Sequence, residues 1–266
     1  IGCGSSYNAC LVARPFLEKN RIVNVELASD FVSRRPFLDV ENTAYVIVSQ
    51  SGETRDCIEA CEYISGEWAG MCYGINNRPG CLLDSKTIAG IHMNIGTERS
   101  VPATKSFTAT IIALMMLDET KKKLIENVPD KLEQHIQRTI HENEEDFETD
   151  FIIGDSWGLG LAREFSLKLQ EVAYEKAMWF PGHEMKHGPL ALVDDSTKVI
   201  YYGLAGSQIT KILESRGAKI IHSSEHFSFF KMICDIASMQ IMVYKSALKK
   251  GLPIDTPRNL AKSVTV

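Results

Sequence analysis

The stretch Ala44-Tyr45-Val46-Ile47-Val48-Ser49-Gln50-Ser51-Gly52-Glu53-Thr54 decides the class of fold. Its apolar, β-branched beginning reads as a short strand, and the residues after it, Thr54–Ile64, have helical spacing. Between the two lies a loop of hydroxyls around one glycine. The free N–H groups and positive dipole end of a helix favour an anion, and Ser49, Ser51 and Thr54 add neutral donors around it. Gly52 permits close approach of the backbone. The pattern is that of a phosphate cradle without lysine. A second loop, Gly4-Ser5-Ser6, is expected at the same edge, outside the carboxyl ends of parallel strands, where such folds bind ligands. The plainer alternative is that these hydroxyls only cap their helices.

Working outward, short apolar segments at Ile22–Leu27, Ala44–Ser49, Gly70–Ile75 and Gly90–Asn94 alternate with helical stretches at Ser6–Glu18, Thr54–Ile64 and Ala103–Leu117. Such alternation predicts an α/β fold with parallel strands and helical crossovers. Residues 118–148 are rich in Lys and Glu on an amphipathic background and read as a helical linker. The pattern then restarts, with strands at Asp150–Ile153, Val199–Leu204 and Lys219–His222 and helices at Leu159–Glu175, Ser207–Arg216 and Phe229–Lys249. Two strand-turn-helix lobes of similar length predict a pseudo-twofold pair with a pocket between them. The tail Gly251–Val266 reads as an irregular arm, which at a chain end is by default frayed.

Composition narrows the classes. At 266 residues, 44% hydrophobic and 24% charged, the chain is globular, neither disordered nor fibrous. No apolar run approaches the ~18 residues of a membrane span, so no membrane partner is expected. A net charge of −5 with scattered Lys and Arg disfavours nucleic acid. The 7 cysteines are odd in number and form no C-x-x-C pair, which fits a reduced, cytoplasmic setting. The chain opens Ile1-Gly2-Cys3 with no signal peptide ahead of it, and the opening has the look of a cut.

Three further patterns carry chemistry. Glu164, Lys168 and Glu171, at i, i+4 and i+7, share one helix face; on periodicity alone such a stripe is a solvated one. His183-Glu184-Met185-Lys186-His187 matches H-E-x-x-H, but Pro181-Gly182 before it and Gly188-Pro189 after it leave room for one helical turn at most, and no third ligand helix follows. No metal is expected. Gly154-Asp155-Ser156-Trp157-Gly158 matches the G-x-S-x-G nucleophile elbow between a strand and a helix. A serine hydrolase built on Ser156, with Asp194 or Asp195 and His222 as partners, is the competing reading from another class; it lacks an oxyanion loop and leaves the phosphate-like loop unexplained.

Together with Cys3-Gly4-Ser5-Ser6-Tyr7, Val25-Glu26-Leu27-Ala28-Ser29, Lys186-His187-Gly188-Pro189-Leu190-Ala191-Leu192 and Pro257-Arg258-Asn259-Leu260-Ala261-Lys262-Ser263-Val264-Thr265-Val266, the loop Ser49–Thr54 resembles the isomerase domain of the glutamine:fructose-6-phosphate aminotransferases, the glucosamine-6-phosphate synthases. The resemblance runs over nearly the whole chain. It implies two sugar-isomerase (SIS) lobes, each a parallel sheet flanked by helices in a flavodoxin-like three-layer sandwich. Their bounds would be 1–125 for a first lobe lacking its leading strand, 126–148 for the linker, 149–250 for a shortened second lobe and 251–266 for an arm closing over the active site.

The same resemblance implies roles. Ser6, Ser49, Gln50, Ser51 and Thr54 would hold the sugar phosphate; Ser5, Val101 and Ala261 would line the sugar chain. Glu171 would shuttle the proton between C1 and C2, with Lys168 and Glu164 behind it. His187 would open the furanose ring from a neighbouring subunit, implying a homodimer, and Lys262 would form a Schiff base with the open-chain ketose. The reaction would turn fructose 6-phosphate and ammonia into glucosamine 6-phosphate with no metal or organic cofactor, and the glutaminase domain that supplies ammonia in the family is missing from this chain. A sugar-phosphate sensor or deglycase is the alternative within the fold. The sequence departs from the family at Pro102-Ala103, Arg99-Ser100 and His183, and is short between Leu204 and Ile233.

Overall fold

A computed structural model describes residues 1–126, 128–141, 148–224 and 228–262. The chain divides into two compact units, Ile1–Lys121 with Asn259–Val266, and Lys122–Arg258.

In the first unit, β1 (Tyr45–Val48), β2 (Cys72–Asn76) and β3 (Ala89–His92) form a parallel sheet in that order, with Tyr45 opposite Cys72 and Tyr73 opposite Ala89. Successive side chains of a strand point to opposite faces. Tyr45 and Ile47 therefore pack with Phe31, Cys57, Ile58 and Leu83 on one side, while Val46 and Val48 pack with Cys10, Ala13, Leu17 and Leu114 on the other. Helices α1 (Gly4–Leu17) and α5 (Lys105–Met115) supply the second layer; α2 (Ala28–Arg34), α3 (Arg55–Glu62) and α4 (Leu82–Lys86) supply the first. Of the stretch at Ala103–Leu117, expected as a deeply buried helix, Lys105–Met115 form α5 and bury Phe107, Ile111, Ala113, Leu114 and Met115, while Met116 and Leu117 are exposed.

The expected strand at Ile22–Leu27 contracts to one parallel bridge, Gly2 to Leu27, and Gly2 bridges Val48 on its other side. Cys3 is already the N-cap of α1, so a single residue stands between the two segments and no longer ladder forms. The helix expected over Thr54–Ile64 leaves α geometry at Tyr63 and closes in a π turn, Tyr63–Glu67.

The second unit contains α6 (Lys122–Ile125) and α7 (Val128–His141), then β4 (Phe151–Gly154), α8 (Trp157–Lys168), β5 (Met178–Pro181), β6 (Lys198–Leu204), α9 (Gln208–Glu214), β7 (Lys219–Ser224) and α10 (Phe229–Lys249). Its sheet is parallel in the order β5-β4-β6-β7. Residues 126–148, expected as a linker, carry α7, which packs along α10 inside this unit, where Lys245 donates to the Thr139 carbonyl at 3.1 Å. Residues 127 and 142–147 of that stretch lie outside the described residues, as do 225–227 and the tail residues 263–266. By compactness, residues 251–258 go with the second unit and Asn259–Val266 with the first.

Strand β5 ends on Pro181 and lies at the sheet edge, where a ladder tolerates proline, so its residues give no clear strand signal in the sequence. Next to it, α8 lies close against the sheet: a Cβ on Gly158 would stand 1.9 Å from the Tyr202 carbonyl oxygen. Gly158→Ala is expected to destabilise the protein by about 3 kcal/mol or more, since the backbone must shift to admit it. Gly66→Ala, where a Cβ meets nothing within 4 Å, is expected to change stability by under about 0.5 kcal/mol in the same denaturant titration.

Candidate functional site

Gly2 pairs with Val48, so the chain leaves the sheet at one edge both where Cys3 turns into α1 and where Ser49 enters its loop. Ser49 is buried, and its amide is anchored on the Ile75 carbonyl at 3.0 Å. Its hydroxyl shares a 2.9 Å hydrogen bond with that of Thr54 and accepts from the Gly52 amide at 3.2 Å. The Ser51 hydroxyl accepts from the Glu53 amide at 3.1 Å. Gly52 has φ +69°, and a Cβ there would lie 2.1 Å from Cys81 Sγ, so both conformation and space require glycine. Glu53 turns away to accept from the Leu82 amide, and the Gln50 carbonyl accepts from Asn77.

Thr54 is the N-cap residue of α3, yet its side chain makes no capping bond; neither does that of Cys3 at α1. Ser207 and Ser228, by contrast, do cap α9 and α10 through the amides of Thr210 and Lys231. Among the described residues, the first turn of α3 thus has no side-chain cap from its N-cap residue.

Lys262 comes to the same unit. Its ammonium pairs with Glu98 at 2.7 Å. Glu98 is buried and also accepts from the Ser106 hydroxyl at 2.6 Å and from the amides of Ser106 and Thr104, each at 3.1 Å. Burial raises its pKa, but Lys262 and these donors together outweigh burial and hold the carboxyl below the usual range. Val101 lies within the loop that Glu98 braces, half-buried, and Ala261, next to Lys262, is exposed. Glu98 is the residue that sequence reading missed. A lone glutamate in a Gly-Thr-Glu loop gives no periodic signal, and only the fold delivers Lys262 to it.

In the second unit the charged stripe is not solvated. Glu164 and Lys168 are 0% and 3% exposed, and the Lys168 ammonium binds Glu164 at 3.3 Å and Glu171 at 2.6 Å. Burial alone would lower the Lys168 pKa; the two carboxylates reverse that and raise it. Helix α8 passes at Leu169 into a π turn, Leu169–Ala173, that carries Glu171. Such turns recur at functional positions. His187 closes a 3₁₀ turn, Gly182–His187, and its ring is exposed. At about three residues per turn, His183 and His187 diverge by about a third of a turn, which is not the shared face that the H-E-x-x-H pattern needs.

Ser156 does adopt a strained elbow, at φ 55° and ψ −127°, and is exposed. Its neighbours do not form a relay. Among the described residues no hydrogen bond reaches its hydroxyl. The Asp155 carboxylate accepts from Tyr201, whose phenol burial pushes up to about 12. Asp194 closes a local turn by accepting from Ser196 and Thr197. The side chain of His222 lies outside the described residues. The glycines at 154 and 158 follow from close helix–sheet packing.

Residues 1–118 match the SIS domain family. The whole chain is homologous to part of the glutamine–fructose-6-phosphate aminotransferases [isomerizing]. It is 32% identical to the probable enzyme of Schizosaccharomyces pombe, over 100% of this chain and 44% of that one. With the Chlamydia muridarum enzyme the identity is 33%, over 100% of this chain and 51% of that one. The chain thus spans about half the length of the curated relatives it matches. Among solved structures, glucosamine-6-phosphate deaminase from Thermotoga maritima superposes with a TM-score of 0.81 at 22% identity, covering 100% of this chain and 89% of that one. The C-terminal domain of the aminotransferase from Francisella tularensis gives 0.76 at 23%, covering 96% and 85%. These likenesses establish the fold. No helix among the described residues is long and apolar enough to cross a membrane.

Two stability predictions follow from the charges. Lys168→Ala leaves Glu164 buried without its cation and is expected to cost about 3–5 kcal/mol, read by denaturant unfolding. Glu98 has a folded-state pKa below the ordinary value of 4.5, so its contribution is full above that pH and is lost as pH falls through the depressed value. The cost of Glu98→Gln is therefore larger at pH 7 than at about pH 3.

Proposed function

We propose that this chain is the phosphosugar-isomerising part of a glutamine:fructose-6-phosphate aminotransferase, acting in the cytoplasm as a homodimer. The observation that carries the reading is the uncapped N-terminus of α3 behind the Ser49–Thr54 loop, in a chain homologous to those enzymes over its whole length. Its substrate would be fructose 6-phosphate and its product glucosamine 6-phosphate, with ammonia from a glutaminase domain.

In this proposal Ser6, Ser49, Gln50, Ser51 and Thr54 grip the phosphate, so that binding energy remote from the reacting carbons positions them. Ser5, Val101 and Ala261 line the sugar chain. His187, exposed on its own subunit, opens the ring in a neighbouring one. Lys262 leaves Glu98, sheds a proton, and its amine condenses with the ketose carbonyl, releasing water. Ammonia then adds at the iminium carbon and the Lys262 amine leaves, and the ammonia-derived iminium acidifies the adjacent C–H. Glu171 takes that proton from C1 and returns it at C2. Lys168, tethered to Glu164, fixes the Glu171 carboxylate in place, and the buried ion network keeps that tether short.

Two measurements check the assignment. Glu171→Gln is expected to retain fructose 6-phosphate binding in a calorimetric titration while slowing ketose–aldose interconversion about 10²–10⁴-fold. A fully active variant removes Glu171 from the chemistry. The double substitution Ser49→Ala with Thr54→Ala is expected to weaken fructose 6-phosphate binding at least about tenfold, near 1.4 kcal/mol, with much less effect on unphosphorylated fructose. Equal loss for both sugars would remove the phosphate from this loop.

A further inference from the structure

The Glu98 carboxylate is held from one side by the start of α5. Its Oε1 accepts from the amides of Thr104 and Ser106, each at 3.1 Å, and from the Thr104 hydroxyl at 3.4 Å; its Oε2 accepts from the Ser106 hydroxyl at 2.6 Å. These donors are neutral, and they stand at the end of α5 whose dipole favours an anion. The loop that presents Glu98 is pinned as well. Lys105 donates to the carbonyls of Ile95 and Thr97 at 2.9 and 3.0 Å, and the Asn77 side chain donates to the Gly96 carbonyl at 2.8 Å and accepts from the Ile95 amide at 3.0 Å. Among the described residues, the cation paired with Glu98 is Lys262.

The two partners are held unequally. The Glu98 side chain is 3% exposed and that of Lys262 is 30% exposed. Asn259, Leu260 and Ala261 are exposed, and among the described residues 259–262 make no hydrogen bond other than the one from the Lys262 ammonium. The carboxylate is a fixed acceptor and the ammonium a movable occupant. We propose that Glu98 is the seat of an exchangeable ammonium ion, filled here by the Lys262 head group at 2.7 Å. The lysine reports the chemistry of the ligand: a compact cation with directional N–H donors, which free ammonium shares. An alkali ion brings no such donor to the Glu98 oxygen, and a quaternary ammonium has no N–H to give.

Removing one partner of a buried ion pair leaves an uncompensated charge, which is costly until another cation arrives. When Lys262 leaves Glu98 to condense with the ketose, an ammonium ion in its place restores the balance. The seat then holds the nitrogen donor in the same unit as the reacting lysine. That consequence rests on the proposed function; the seat itself does not.

The test follows thermal unfolding of Lys262→Ala in ammonium chloride, potassium chloride or tetramethylammonium chloride at equal ionic strength. Ammonium at about 100 mM is expected to raise the midpoint by about 2 °C or more over the other two salts. Adding Glu98→Gln should abolish that difference. In the unsubstituted protein it should shrink at least about threefold, because the tethered lysine competes at high effective concentration. No difference among the salts, a difference that survives Glu98→Gln, equal stabilisation by potassium, or an undiminished difference with Lys262 present would each overturn the inference. Should Lys262→Ala fail to fold, Lys262→Met, whose side chain ends one atom short of Nζ, replaces it in every arm. No arm measures turnover, so a failure of the proposed reaction leaves the seat standing, and a failure of the seat leaves the reaction standing.

Discussion

Strand β1 has no face left for water. Tyr45 and Ile47 are claimed by one helical layer, Val46 and Val48 by the other, and a strand in that position is paired in parallel with β2. Parallel pairing obliges each connection to cross back over the sheet, so helices begin where strands end. The amide ends of α1 and α3 are thereby brought to one edge of the first unit by the core, not by anything the loops themselves require. What the loop adds is restraint. The Ser49 and Thr54 hydroxyls bind each other, and the α3 amides are left uncapped. An arrangement that spends two good capping side chains elsewhere is less stable than a capped one, and a ligand that meets those amides recovers the difference.

The second unit carries a different cost. A lysine and a glutamate with almost no solvent contact are taken out of water for each other's sake, and well-packed apolar residues of the same volume commonly serve stability as well or better. Stability therefore does not explain the Glu164–Lys168–Glu171 set. The proposed chemistry does, because a carboxylate that must face one carbon and then its neighbour needs its unused oxygen fixed, and the Lys168 ammonium at 2.6 Å fixes it.

Much of this was legible in the residues. Strands β1 and β4 and helices α5 and α10 stand where periodicity put them, because each is long or apolar enough for burial to dominate its conformation. What escaped notice depends on neighbours rather than on local pattern. A strand at Ile22–Leu27 needs a partner longer than Gly2. The edge strand β5 and the short helices α2 and α4 carry too few residues for a period to register. The stripe at Glu164, Lys168 and Glu171 read as solvated because charge pattern alone says nothing of depth, and it took the family resemblance to give it a purpose. Glu98 was invisible for the same reason: its significance is Lys262, 164 positions away in sequence.

Depth is set by backbone packing at the other end of α8. Asp155 and Ser156 make the whole turn from β4 into that helix, and its first residues press so close that Gly158 nearly touches the Tyr202 carbonyl of β6. An α-helix rises about 1.5 Å per residue, so Lys168, ten residues on, sits roughly 15 Å further along the same rigid rod. Lifting the rod at Gly158 by the thickness of a methyl group would tilt or raise everything it carries, and a buried ammonium would gain water that weakens its hold on both carboxylates. The strained φ of Ser156 and the two glycines flanking it, which match the signature of a nucleophile, thus have a sufficient cause in keeping α8 low enough for its third turn to be buried.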